Sequence, residues 1–113
     1  MKKVEVIIRP GKLEEVKDAV DKLGLKGMTI SEVVGRGQQK PRKEIYRGIE
    51  YSIDLLPRLK VEFIMTEQWV NEAVKVISAV ACTGLPGDGL IFVSNVENAI
   101  RIRTGEYGQA ALI

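Results

Sequence analysis

Two stretches of this chain alternate between inward and outward positions, and each runs into apolar residues at helical spacing. That repeated change of period constrains the fold more than any other feature. From Lys3 to Arg9, Val4, Val6 and Ile8 fall on one face and Lys3, Glu5, Ile7 and Arg9 on the other, the pattern of a strand. Pro10 and Gly11 interrupt it. Leu13, Val16, Val20 and Leu23 then form one stripe of an amphipathic helix that Gly24 ends. Gly27 to Val34, rich in β-branched residues, reads as a second strand. From Arg58 to Met65 the alternation returns, with Leu59, Val61, Phe63 and Met65 inward and Arg58, Lys60, Glu62 and Ile64 opposite. Thr66 offers a cap for a second helix whose stripe is Val70, Ala73, Val74, Ile77, Val80 and Ala81. A connector from Thr83 to Gly89 leads into an apolar strand from Leu90 to Val96. The order β-α-β, long loop, β-α-β predicts an α+β, ferredoxin-like βαββαβ domain, its antiparallel four-stranded sheet carrying both helices on one face. Ile7 and Ile64 stand among polar residues on the other face, which points to a subunit contact or a ligand there.

At 113 residues the chain is long enough for one domain burying roughly 60–70 % of its unfolded surface. Its 17 basic and 15 acidic side chains leave a net charge of +2, so no global field draws nucleic acid and any anion site must be local. The chain has no histidine, which removes Ser-His and Cys-His catalysis and the commonest transition-metal ligand. No paired-carboxylate motif replaces them, so an enzyme is not expected. The single cysteine, Cys82, excludes an intrachain disulfide and is expected to be a small buried hydrophobe. With no apolar N-terminal stretch of signal length, a cytoplasmic location is expected.

Three segments carry candidate chemistry. Thr83-Gly84-Leu85-Pro86-Gly87-Asp88-Gly89 either turns backbone N–H groups inward to cradle a phosphate or is a tight helix-to-strand turn. It is not a P-loop, because Leu90 follows where a lysine would stand and the loop runs from helix to strand. Arg101 and Arg103, two apart, would leave one face of an extended segment and clamp a polyanion, or else are solvated. Arg36 and Lys40 add positive charge around Gln38 and Gln39. The connection from Gly35 to about Leu55 is long for a structureless loop. Its centre, Tyr46-Arg47-Gly48-Ile49-Glu50-Tyr51, suits partner contact or modification, or forms a plain hairpin whose tyrosines pack on its own stem.

Together GMTISEV, GRGQQK, YRGIEY, TGLPGDG with IFV, and RIRTGE occur in an order and spacing that resembles the PII signal-transduction proteins of nitrogen metabolism, the GlnB/GlnK-like regulators. The resemblance covers nearly the whole chain. It implies one domain over residues 1–113 with an exposed partner loop at about 37–55, a nucleotide loop at 83–89 and a C-terminal loop at 101–109. It further implies a homotrimer whose three intersubunit clefts take ATP or ADP competitively. By position Gly87, Asp88, Gly89, Arg101 and Arg103 would hold phosphates, with Gln38 and Gln39 near them. Ile7, Met28, Thr29, Glu62 and Ile64 would line the adenine and ribose. Gln39 would meet magnesium and 2-oxoglutarate, and Arg58 stands at the family's 2-oxoglutarate-binding lysine. Arg47 corresponds to the arginine that plugs an ammonium transporter, and Tyr51 to the tyrosine that a nucleotidyltransferase modifies. Ile49 replaces the serine phosphorylated in some relatives.

The chain departs from the family pattern at Leu90, where a phosphate-facing lysine is usual, and at Arg58, Gln38, Pro41 and Ile49. Losing the lysine removes a full positive charge, so the alternative to an ATP/ADP sensor is a relative tuned to ADP, AMP or another anion. A nucleotide hydrolase would need a water-activating base that the loop lacks. An RNA binder of this fold would need a pair of stacking aromatics on its strands, and the chain has none there.

Overall fold

The computed structural model describes residues 1–25, 27–37, 42–53 and 55–112, with 42–44 and 50–53 described by their backbone. Six strands and two helices follow one another as β1 (Lys2–Ile8), α1 (Leu13–Asp21), β2 (Thr29–Gly35), β3 (Arg42–Tyr46), β4 (Ile49–Ile53), β5 (Leu56–Met65), α2 (Val70–Ala81) and β6 (Leu90–Asn95). Four of the strands form an antiparallel sheet in the order β2-β5-β1-β6. The ferredoxin-like arrangement expected from the periodicity is therefore present. β1 and β2 flank β5 and run parallel to each other, as the βαβ crossover through α1 requires.

The core forms where the period-2 and period-3.6 patterns meet. Val4, Val6 and Ile8 of β1 and Val61, Phe63 and Met65 of β5 are buried against Val16 and Val20 of α1 and Ala73, Ile77 and Ala81 of α2. The register sets Val4 opposite Phe63 and Val93, and Val6 opposite Val61 and Ile91, so one sheet face is continuous beneath the helices. A slip of one residue would send this set to the opposite face. Gly24 ends α1 as the pattern predicted: its N–H bonds to Asp21 O at 2.9 Å and that of Leu25 to Val20 O at 3.3 Å.

The opposite face carries Ile7, Ile64, Leu90 and Phe92 beside a charged row in which Lys60 lies 4.0 Å from Glu5 and 3.6 Å from Glu62. At the sheet edge β6 pairs only with β1 among the described strands, and its Leu90, Phe92 and Val93 are exposed.

One open alternative is decided and two local expectations need correction. The connection after β2 is not a structureless loop, since β3 and β4 pair across it in a two-stranded sheet from Arg42↔Ile53 to Tyr46↔Ile49. Arg47 (φ 53°) and Gly48 (φ 77°) make its turn, two successive left-handed residues that match the twist of a tight hairpin. Thr66 makes no side-chain cap; it precedes a short 3-10 turn (Glu67–Trp69), and its carbonyl accepts from Trp69 N at 3.1 Å. Cys82 is exposed, because the chain turns extended there, one residue beyond the last buried position of α2.

Candidate functional site

The loop from Thr83 to Gly89 is organised by its own carboxylate. Asp88 Oδ2 accepts hydrogen bonds from Thr83 N at 2.8 Å and Gly84 N at 3.0 Å, and Oδ1 accepts from the Thr83 hydroxyl and from Arg9 Nε at 3.1 Å. Arg9 also donates through Nη2 to Pro86 O at 2.9 Å, so one guanidinium closes the loop from the end of β1. These donors, the Thr83 hydroxyl foremost, then the Thr83 amide, Arg9 and Gly84, hold the Asp88 carboxyl well below the usual carboxylate range, while burial opposes them. Arg9 was not singled out from the sequence. Its partner lies 79 residues away and no local pattern links them.

This bonding changes the reading of the three glycines. Gly84 gives its N–H to Asp88, so the first turn of the loop cradles an internal anion. Gly87 and Gly89 instead line a surface depression of about 420 Å³ with Ile7, Gly35, Arg36, Gly37, Leu90 and Phe92. Gly89 admits no other residue: at φ 107° a Cβ would fall 1.7 Å from Ile7 O, so the loop's exit lies directly on β1.

The remaining candidates gather elsewhere. Met28, Thr29, Glu62, Ile64 and Arg101 line a second depression of about 410 Å³, between the starts of β2 and the end of β5, closed by Ala111 and Leu112. Arg101 is fixed there by a bond from Nη2 to Ala111 O at 2.8 Å. The extended clamp expected of Arg101 and Arg103 is absent. Residues 102–104 form a turn, the Gly105 amide returns to Arg101 O at 2.8 Å, and Arg103 is exposed outside both depressions. The alternation argument fails because the segment is not a strand. Arg58 donates to Pro57 O at 2.7 Å, and its stem passes 3.8 Å from where a Gly35 side chain would begin.

At the hairpin, Arg47 occupies the tip, exposed, with its guanidinium 5.2 Å from the centre of the Tyr46 ring. Tyr51 pairs through its backbone with Glu44. Gln38 and Gln39, with Lys40, lie outside the described residues. Among the described residues no group of three acidic, cysteine or histidine side chains gathers as a metal site, and no helix is long and apolar enough to cross a membrane.

The family model described as nitrogen regulatory protein P-II matches residues 1–106. The chain belongs to the P-II family. It is 52 % identical over 112 residues to nitrogen regulatory protein P-II of Bradyrhizobium diazoefficiens, covering 99 % of this chain and all of that one. It is 50 % identical over the same length to that of Azospirillum brasilense and 46 % to nitrogen regulatory protein GlnK of Escherichia coli, again across the whole of each relative. P-II proteins are regulatory signal transducers of nitrogen metabolism, not enzymes, and this chain is one of them. The P-II match removes the hydrolase alternative.

Proposed function

We propose that this P-II protein is a cytoplasmic homotrimer that binds ADP or ATP in clefts between subunits. Through the β3–β4 hairpin it would control nitrogen-metabolism partners, an ammonium transporter among them. The observation that supports this most is the division of the site. Ile7, Gly87 and Gly89 line one depression, and Met28, Thr29, Glu62, Ile64 and Arg101 line another. A single nucleotide meets both sets when two copies face each other. The exposed apolar residues of edge strand β6 supply a surface that favours such assembly.

In this reading Asp88 orders the loop, and Gly87, Gly89, Arg101 and Arg103 receive the phosphates. Magnesium would enter with the phosphates and take a carbonyl oxygen from Gln39, an oxygen donor of the kind this ion accepts. 2-Oxoglutarate would sit between Gln39 and Arg58. Arg47, carried on an exposed tip, would enter the transporter, and Tyr51 would be the residue a nucleotidyltransferase modifies. Ligands act by favouring one hairpin arrangement over another, in proportion to their differential affinity. Calorimetric titration of ADP and ATP, with and without magnesium and 2-oxoglutarate, tests the sensor, and light scattering tests the trimer. No heat with any nucleotide would end the sensor reading.

A second reading has its own support: Leu90, 63 % exposed, presents an apolar side chain to the Gly87 and Gly89 depression. The preferred ligand would then be ADP, AMP or another anion in place of ATP. Leu90→Lys is expected to raise ATP affinity about ten-fold or more through a new charged hydrogen bond. Unchanged affinity would count against it.

A further inference from the structure

The loop from Thr83 to Gly89 has two faces. Gly87 and Gly89 line the depression beside Ile7. Asp88, between them, does not line it and is tied instead to Thr83, Gly84 and Arg9, which lie outside it too. Arg9 is a firm anchor for this second face. It follows β1 with its backbone still extended (φ −64°, ψ 138°), and its carbonyl accepts from Lys12 N at 3.0 Å at the turn that leads into α1. Its guanidinium divides between two acceptors, Nε donating to Asp88 Oδ1 at 3.1 Å and Nη2 to Pro86 O at 2.9 Å. One planar group thus fixes both a carboxylate and a backbone carbonyl. Gly89 meets β1 as well, since a Cβ there would fall 1.7 Å from Ile7 O. The loop is therefore pinned to the end of β1 at Pro86 and at Gly89, and Gly87 and Asp88 are held between the pins. The same contact sets a cation beside the loop's one acid, which would otherwise repel an incoming phosphate.

We infer that Arg9 is a positioning residue for nucleotide binding: through Asp88 and Pro86 it holds Gly87 and Gly89 in the arrangement that receives phosphate, without touching the ligand itself. The inference rests on the nucleotide reading above and deepens it. A loop held in this way meets its ligand already ordered, and a loop released from Arg9 binds only during the fraction of time it spends in that arrangement.

The test is titration of ADP and of adenosine into wild type, Arg9→Ala, Asp88→Asn and the double variant, with a thermal melt on each to confirm the fold. Arg9→Ala is expected to weaken ADP about five- to twenty-fold, through lost loop order and an uncompensated carboxylate together. Adenosine, which has no phosphate, keeps its affinity. In the double variant the two losses do not multiply, because both act through one contact. Undiminished ADP binding by Arg9→Ala overturns the inference and leaves the sensor reading standing. An equal loss for adenosine overturns it too, since the effect would then be a general disturbance of the fold. So does full multiplication of the two losses, the mark of an arginine that meets the phosphate directly. Should Arg9→Ala fail to fold, Arg9→Gln, which keeps an amide donor and loses the charge and the fork, takes its place under the same criteria. A wild type that binds no nucleotide overturns both readings, and that result is distinct because it appears before any substitution is made.

Discussion

The four-stranded body and the β3–β4 hairpin are built from the same backbone pairing, yet they differ in what holds them. In the body, β1 and β5 are covered by α1 and α2, and Val4, Val6, Val61 and Phe63 are at most 1 % exposed. Among the described strands those of the hairpin pair only with each other, and Ile45, Tyr46 and Ile49 near its tip are exposed. An isolated two-stranded ribbon is marginally stable in water. The molecule is elongated, 59 × 28 × 22 Å, with a Cα radius of gyration of 17.1 Å against about 13 Å for a compact chain of this length. The difference separates two ways of holding a strand: apolar burial fixes the body, and the ribbon rests on its own ladder and turn.

The contrast breaks most visibly in the core. Phe63→Ala removes a side chain buried between two helices and the sheet and is expected to cost about 3–5 kcal/mol in denaturant unfolding. A loss under 1 kcal/mol would mean the body is not held by this layer.

Asp88→Asn sharpens the boundary between body and site. The amide that replaces one carboxylate oxygen faces the donors of Thr83 and Gly84, so hydrogen exchange at those two amides should quicken while the core stays protected. Because folding lowers the Asp88 pKa from 3.8, the carboxylate's contribution is full above that value and is lost as pH falls below it. Acid should therefore lower the protection of the Thr83 and Gly84 amides in the wild type below pH 3.8, measured against their intrinsic exchange at each pH, and change it little in the variant. Equal acid sensitivity in both proteins would show that another group closes the loop.

The smallest effect belongs to the hairpin. Gly48→Ala places a side chain at φ 77° and should cost the turn roughly 1–2 kcal/mol. Amides from Arg42 to Ile53 would exchange faster while the unfolding midpoint of the body stays unchanged. A fall in that midpoint comparable to Phe63→Ala would show that the two regions are one cooperative unit.

The same contrast decides what was legible in the sequence. β1, β5 and both helices each bury one face, so selection for burial writes a period into the residues. Leu13, Val16, Val20 and Leu23 gave α1, and the alternation about Val61 gave β5. The hairpin's described apolar side chains, Ile45, Tyr46 and Ile49, are exposed, and its local signal reduces to the Arg47-Gly48 turn. The site was legible where backbone demands a residue type, as at Gly89, and where motifs resemble the family. It was not legible where distant parts meet, as Arg9 does Asp88, or where Gly105 turns a segment that alternation treated as extended. Cys82 misled for a simpler reason, since a helical stripe does not show at which residue the helix stops.

The pairing of β1 also bears on how the molecule is made. Its two neighbours, β5 and β6, begin at Leu56 and Leu90, so β1 pairs only across long stretches of intervening chain. β1 and β2 are separated by β5 and make no ladder with each other. Up to Gly48 the chain holds α1 and the strands β1, β2 and β3, no two of which are neighbours in a sheet. Every ladder of the four-stranded sheet therefore joins distant parts of the chain, the kind of pairing whose loop-closure cost slows folding.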